Sequence, residues 1–388
     1  MESHANHLDR IEDSLSQCLS QSKRPLGLLL GAGCPVSIKV ADADGYRPLI
    51  PDIAGLTSLV NRSMEASSSE YQALLSRLRD DLDHDPNIEE ILSHIRGLAM
   101  IVGRQRVHGL DKEAIDQLER AVTTQIMQAV AVDLPSEHTP YDDLAVWSQA
   151  VTRHIPIRIF TTNYDLLLEA AFERSSAPFF DGFAGAREPF LDTTAIEADD
   201  LPPRWTRIIK LHGSSNWVVR VDRGVVRVPV DGSEERRLIH PSHLKYTESR
   251  RMPYLVMFDQ LRDFLKRQSA TLITLGYSFR DDHINDLLAQ GLRANASAKI
   301  FGLQYGEFNA YDSAEDLARQ NVGLTVMAAN GGIDAGRAFE LESAADRETK
   351  PFKLGDFKEF GHRLMRSVGH TTRTASEIEA VTRGSDEE

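Results

Sequence analysis

Leu8, Ile11, Leu15 and Leu19 fall three and four residues apart in a polar stretch, so residues 5–22 are expected to form an amphipathic helix. Pro25 and Gly27 then lead into an apolar run, LGLLL (26–30). From about 53 to 150 the apolar positions keep a helical period through AGLTSLVNRSM, YQALLSRLRDDL, IEEILSHIRGLAMIV, KEAIDQLERAVTTQIMQAVAV and DDLAVWSQAVTRHI, punctuated by Pro86, Gly109 and Pro135. Short apolar runs return afterwards: IRIFTT (157–162) before YDLLLEAAFE, RIIKLHG (207–213), TLITLGYSF (271–279) before DDHINDLLAQGLRA, AKIFGLQYG (298–306) before SAEDLARQ, and NVGLTVMAA (321–329). NWVVRVDRGVVRVPV reads as a hairpin turning at Asp222–Gly224. Apolar strands that alternate with helices imply a parallel sheet covered on both faces. The expected fold class is therefore α/β: a Rossmann-like parallel sheet with helices on both faces and a helical insertion at about 53–150. Residues 1–368 read as a single domain, and 369–388 as a polar, disordered tail.

Four polar motifs, GAG, TTNYD, KLHG and LGYSF, each sit where an apolar strand ends. In an open parallel sheet the carboxyl ends of the strands form one rim, with ligands in the crevice outside it. The four motifs are therefore expected to meet in space, although up to 245 residues separate them.

Bulk properties narrow the partners. Hydrophobic residues make up 41% and charged residues 26%, as in an ordinary globular protein. A formal charge of −14, from 58 acidic and 44 basic residues, disfavours a broad nucleic-acid contact. Two cysteines, Cys18 and Cys34, exclude a disulfide framework and a four-cysteine zinc site, and suit a reducing compartment. No secretory h-region or bilayer-length apolar stretch is visible, so the expectation is a cytoplasmic protein without membrane contact.

Each motif carries a bland reading beside a chemical one. Gly31 and Gly33 allow a backbone to pass close to a phosphate, or make a tight strand-to-helix turn without ligand. Position 36 is Val, so the three-glycine dinucleotide fingerprint is incomplete. Asp52 lies 21 residues after Gly31, the place of a ribose-holding acid, yet it follows Ile50-Pro51 and opens a helix. Asn163 or Asp165 can cap the helix YDLLLEAAFE, and the Thr161-Thr162-Asn163-Tyr164-Asp165 cluster can instead hold sugar hydroxyls. His212 is either a hydrogen-bonded structural histidine or a general base. In GYSFRDDHI, Gly276 permits close approach and Ser278 can reach a ribose or phosphate oxygen, ahead of an Asp-capped helix. HPSH (240–243) is a poor metal site: Pro241 argues against a helix and no third ligand is nearby.

In order, Gly31-Ala32-Gly33, Ile50-Pro51-Asp52, Thr161-Thr162-Asn163-Tyr164-Asp165, His212-Gly213 and Gly276-Tyr277-Ser278 resemble the sirtuin pattern over roughly residues 25–330. The resemblance implies a sirtuin-type sheet and NAD as ligand. It would set the glycine turn near the pyrophosphate and Asp52 near the nicotinamide carboxamide. Asn163 and Asp165 would lie near the nicotinamide ribose, with Asn163 and His212 catalytic, and Ser278 and Gln304 would contact the adenosine half. Ser37, Thr161, Thr162, Gly276 and Tyr277 complete the expected cofactor-binding set. Departures are equally specific. The zinc ribbon of sirtuin deacylases is missing, Ile53 and Ala54 stand where those enzymes have Phe and Arg, Pro35 replaces a serine, and the Ser37–Ile50 loop is longer. The pattern is most similar to the zinc-free, sirtuin-like NAD hydrolases of bacterial antiphage systems. That family implies NAD as substrate, no zinc, nicotinamide and ADP-ribose as products, a homo-oligomer, and a trigger from a separate protein such as a HerA-type ATPase. The helical block would serve oligomer contacts or a gate, or simply cover the sheet. The alternatives are a zinc-free deacylase and a non-catalytic module that binds NAD or ADP-ribose.

Overall fold

The computed structural model describes residues 4–42, 45–103, 106–229, 237–239, 253–341 and 352–369, and the following statements concern those residues. HPSH (240–243) and the tail from residue 370 lie outside them. The N-terminal helix is His4–Ser20, and its Ile11, Leu15 and Leu19 are buried as their spacing requires.

A nine-stranded sheet organises the chain. From one edge the order is Arg337–Glu340, Gly331–Asp334, Leu324–Ala328, Lys299–Leu303, Thr271–Leu275, Leu26–Leu30, Arg158–Thr161, Thr206–Lys210 and Phe179–Phe180. The first two are antiparallel additions, and the others run parallel. Leu26–Leu30 lies in the middle. The chain winds from it to one side through Arg158–Thr161 and Thr206–Lys210. It then returns to the other side through Thr271–Leu275, Lys299–Leu303 and Leu324–Ala328. This is the doubly wound order, and its switch point falls between Leu26–Leu30 and Thr271–Leu275.

Alternate strand residues feed two separate cores. Leu28, Ile159, Ile208 and Ile273 join one, while Leu29, Phe160, Ile209 and Leu272 join the other. Both faces being dry, the strands must be apolar throughout, as the sequence pattern requires. The first core is completed by six helices, Ile53–Ser67, Ser69–Leu82, Ile88–Ile101, Lys112–Val130, Pro140–Ala150 and Leu167–Arg174, with the helices His4–Ser20 and Phe357–Ser367. The second is completed by Tyr254–Lys266, Asp282–Ala294 and Asp312–Gln320. Local signals start the helices. Asn87 and Glu90 make a reciprocal capping box, and Asp111 accepts the Ala114 N–H at 3.0 Å. None of the described helices is long and apolar enough to cross a membrane.

Beyond the antiparallel additions at the sheet edge, two features differ from the expected outline. Within the Ser37–Ile50 loop, Lys39–Asp42 and Gly45–Pro48 pair as a small antiparallel sheet. The hairpin Gly213–Arg220/Gly224–Arg227 forms as expected but belongs to a five-stranded antiparallel sheet with Arg237–Ile239, Phe190–Leu191 and Phe183–Ala184.

Candidate functional site

The two turns at the switch point touch through their backbones. The Gly31 N–H donates to the Leu275 carbonyl and the Gly33 N–H to the Gly276 carbonyl, each at 2.9 Å. A β-carbon on Gly31 would stand 2.3 Å from the Gly276 oxygen, and one on Gly33 2.7 Å from Gly276 Cα. Gly276 itself has φ +61°, and a β-carbon there would meet the Cys34 nitrogen at 2.5 Å. The glycines are therefore required by the packing of one turn on the other, whatever ligand lies beyond them. Close backbone approach was anticipated at these positions; the partner that demands it is the neighbouring turn.

Beyond the next strand, Thr161 works as a bracket. Its hydroxyl donates to the Leu30 carbonyl at 2.9 Å and accepts the Asn163 N–H at 3.1 Å. The Asn163 side-chain amide in turn donates to the Gly31 carbonyl at 3.2 Å, tying it to the glycine turn. Asp165 accepts the Leu167 N–H at 3.1 Å at the start of the Leu167–Arg174 helix, so it does serve that helix end. Its carboxyl is buried, which pushes its pKa up to about 6 against the pull of the Lys210 ammonium. Lys210, also buried, pairs with Glu169 at 3.0 Å and donates to the Asp165 carbonyl oxygen.

His212 occupies the corner where the chain leaves the parallel sheet for the antiparallel one. Leu211 is still bonded to the Thr161 carbonyl at 2.8 Å, and Gly213 turns with φ +88°. Burial holds the imidazole with Nε2 3.1 Å from Asp281 Oδ2, an ion-pair distance with an approach too oblique for a hydrogen bond. The Phe258 ring flanks it, with centroids 6.3 Å apart.

These groups open on one cavity of about 1040 Å³, at the upper end of the usual range for small-molecule sites. Ala32, Gly33, Ser37, Asp52, Thr162, Asn163, Asp165, His212, Gly276, Tyr277, Ser278 and Gln304 all line it. Gly31 and Thr161 do not; both are buried behind the lining, Gly31 acting through its backbone and Thr161 through its hydroxyl. Several lining groups also have structural duties. Ser37 donates to the Cys34 carbonyl at 2.7 Å, and Asp52 caps the Ile53–Ser67 helix through the Gly55 N–H at 2.8 Å. The Tyr277 hydroxyl is turned onto Asn285 at 2.9 Å, and Gln304 donates to the Tyr277 carbonyl at 3.0 Å. The Cys34 thiol is pushed up by burial and donates to the Leu275 carbonyl at 3.3 Å, which makes it an inert core group.

Two further walls were not apparent from sequence. The helical block contributes Asn61, Arg79, His84 and Glu89, and so stands over the cavity as well as over the sheet. Gly355, Asp356 and Phe357, just ahead of the Phe357–Ser367 helix, close another side. Asp281 lines the cavity too, although its sequence signature is that of a helix cap.

Residues 157–325 match the family model described as the SIR2-like domain, a stretch that contains Asn163, Asp165, His212, Gly276–Ser278 and Gln304. Among solved structures, the chain is similar to a Sir2 homologue in complex with NAD, with 13% identity over 92% of this chain and 94% of that one and a TM-score of 0.41. It is also similar to Sir2Tm bound to a propionylated peptide, with 13% identity, 93% and 99% coverage and a TM-score of 0.40. No curated protein is a significant match to the chain.

Proposed function

We propose that the chain is an NAD glycohydrolase that splits the nicotinamide–ribose bond of NAD, giving nicotinamide and ADP-ribose. The observation that carries this reading is the meeting of Asn163 and His212 in one cavity at the switch point, beside the two glycine turns. The cavity lies where a doubly wound sheet binds its nucleotide, and the match to a SIR2-like domain supports NAD as that nucleotide.

The chemistry suits a site with one base. Nicotinamide leaves NAD as a neutral molecule from a cationic pyridinium, taking the bonding electron pair, so no general acid is needed. Water bonds to the anomeric carbon, and His212 accepts its proton. Asn163, held by Gly31 and Thr161, orients the ribose or that water. A rigid amide is suited to this because positioning of a reacting pair carries much of the rate. Over residues 1–368 the unit would be a single domain. By the zinc-free resemblance the enzyme would act in the cytoplasm as a homo-oligomeric, NAD-depleting effector of antiphage defence, released by a HerA-type ATPase.

Purified protein incubated with NAD, alone and with any neighbouring-gene product, should release nicotinamide measurable by chromatography. His212→Ala and Asn163→Ala should each lower that release by roughly 10²–10⁴-fold, the usual span for a positioned proton acceptor. Wild-type turnover in either variant would refute the role given to that residue, and NAD binding with no release under either condition would refute the hydrolase.

A further inference from the structure

We infer that Asp281 is the positioning residue for His212, and that the imidazole therefore works on substrate through Nδ1. The inference rests on the hydrolase reading above and specifies how its base is held. Asp281 is the N-cap of the Asp282–Ala294 helix, and its Oδ1 accepts the N–H groups of His283 at 3.1 Å and Ile284 at 3.3 Å. One carboxylate oxygen is thus pinned to the helix start, where the helix dipole also favours negative charge. The other, Oδ2, is the atom 3.1 Å from His212 Nε2, and the two side chains are only 6% and 9% exposed. A carboxylate so anchored cannot swing away, and it presents a fixed negative point to one edge of the ring.

Tautomer choice follows from that edge. A neutral imidazole carries one proton, and a lone pair on Nε2 would face the carboxylate, whereas an Nε2–H is attracted to it. Nδ1 then holds the lone pair, which is what an acceptor of the water proton requires. When that proton arrives, the imidazolium is stabilised by the largely buried Asp281 carboxylate beside it. The same residue caps the helix and sets the base, so the helix start at the adenosine-side turn and the catalytic corner at Gly213 are joined by one side chain.

The test uses the full chain and two readouts. Asn is as good a cap as Asp, so Asp281→Asn should fold, with its unfolding midpoint lowered only by the small loss of a charge at the helix start. Its kcat for nicotinamide release should fall by roughly 10²-fold or more, with KM for NAD within roughly threefold of wild type. In a His212→Ala background the same change should alter turnover by less than roughly twofold, because the two side chains act as a unit. Nitrogen-15 NMR of the labelled histidine ring should show the Nε2–H tautomer in wild type and lose it in Asp281→Asn. An Nδ1–H ring in wild type, or equal losses in both backgrounds, would overturn the dyad. Should wild type release no nicotinamide at all, the hydrolase reading fails, and the ring signal alone decides whether Asp281 sets His212.

Discussion

Gly276→Ala separates two reasons for a glycine at the switch point. With φ +61° the residue is in the left-handed region, which costs a side chain roughly 1–2 kcal/mol. The added β-carbon would also stand 2.5 Å from the Cys34 nitrogen and 2.8 Å from the Gly33 carbonyl carbon, both backbone atoms that cannot rotate aside. Relieving such a contact means moving one turn away from the other, an overpacking cost of roughly 1–3 kcal/mol. The expected loss is therefore about 2–5 kcal/mol, a sizeable part of a typical folding stability. Gly97→Ala serves as the control. It lies in the Ile88–Ile101 helix with nothing within 4 Å of its β-carbon position, and should gain about 0.5–1 kcal/mol. Urea unfolding followed by the fluorescence of the three tryptophans, Trp147, Trp205 and Trp217, measures both. If Gly276→Ala kept wild-type stability and lost only NAD affinity, the glycine would exist for the ligand, and the turn-on-turn argument would be wrong.

Asp165 should give the protein a pH-dependent stability. Its carboxyl is raised from 3.8 to about 6, so its contribution is complete below about pH 4 and is lost as pH rises through about 6. Asp165→Asn, which can still accept the Leu167 N–H while Lys210 keeps Glu169, should exceed wild type above pH 6 by on the order of 3 kcal/mol. Urea unfolding at pH 4 and pH 7.5 should show that gap only at the higher pH; an equal gap at both would contradict the assignment. Asp199 holds three arginines, Arg158, Arg207 at 2.9 Å and Arg267 at 2.5 Å, the first two nearly buried. Asp199→Ala leaves those charges unpaired and should cost roughly 3–5 kcal/mol in the same assay, whereas a loss below 1 kcal/mol would show that they relax into solvent.

How much of this was legible in the sequence depended on the range of the forces involved. The strands could be read because two dry faces force unbroken apolar runs such as TLITL, and the helices because Ile88, Ile91, Leu92, Ile95 and Leu98 mark one face. Motifs placed at strand ends also disclosed the rim, since that follows from parallel topology alone. Short pieces escaped: Phe179–Phe180, Phe183–Ala184 and Phe190–Leu191 are two residues each, too short to carry a period. The second duty of Asp281 was hidden because a capping aspartate looks the same whether or not its other oxygen has a partner. Nothing local signals that Gly355–Phe357 return to the cavity. That approach is set by long-range fit, as in Gly361, where a β-carbon would lie 2.7 Å from Asp143 Oδ2.

The cavity wall therefore has a consequence for how the protein matures. Ala32 and Asp356 face the same space although they sit near opposite ends of the described chain, with strands from both halves of the sheet between them. Contacts between segments so distant in sequence form late, because the entropy of closing the intervening chain is lost before they reward it. Intermediates that have already acquired helices would still lack a complete pocket. Recovery of nicotinamide release during refolding should then track the slowest structural phase, which makes the proposed activity a gauge of completed folding.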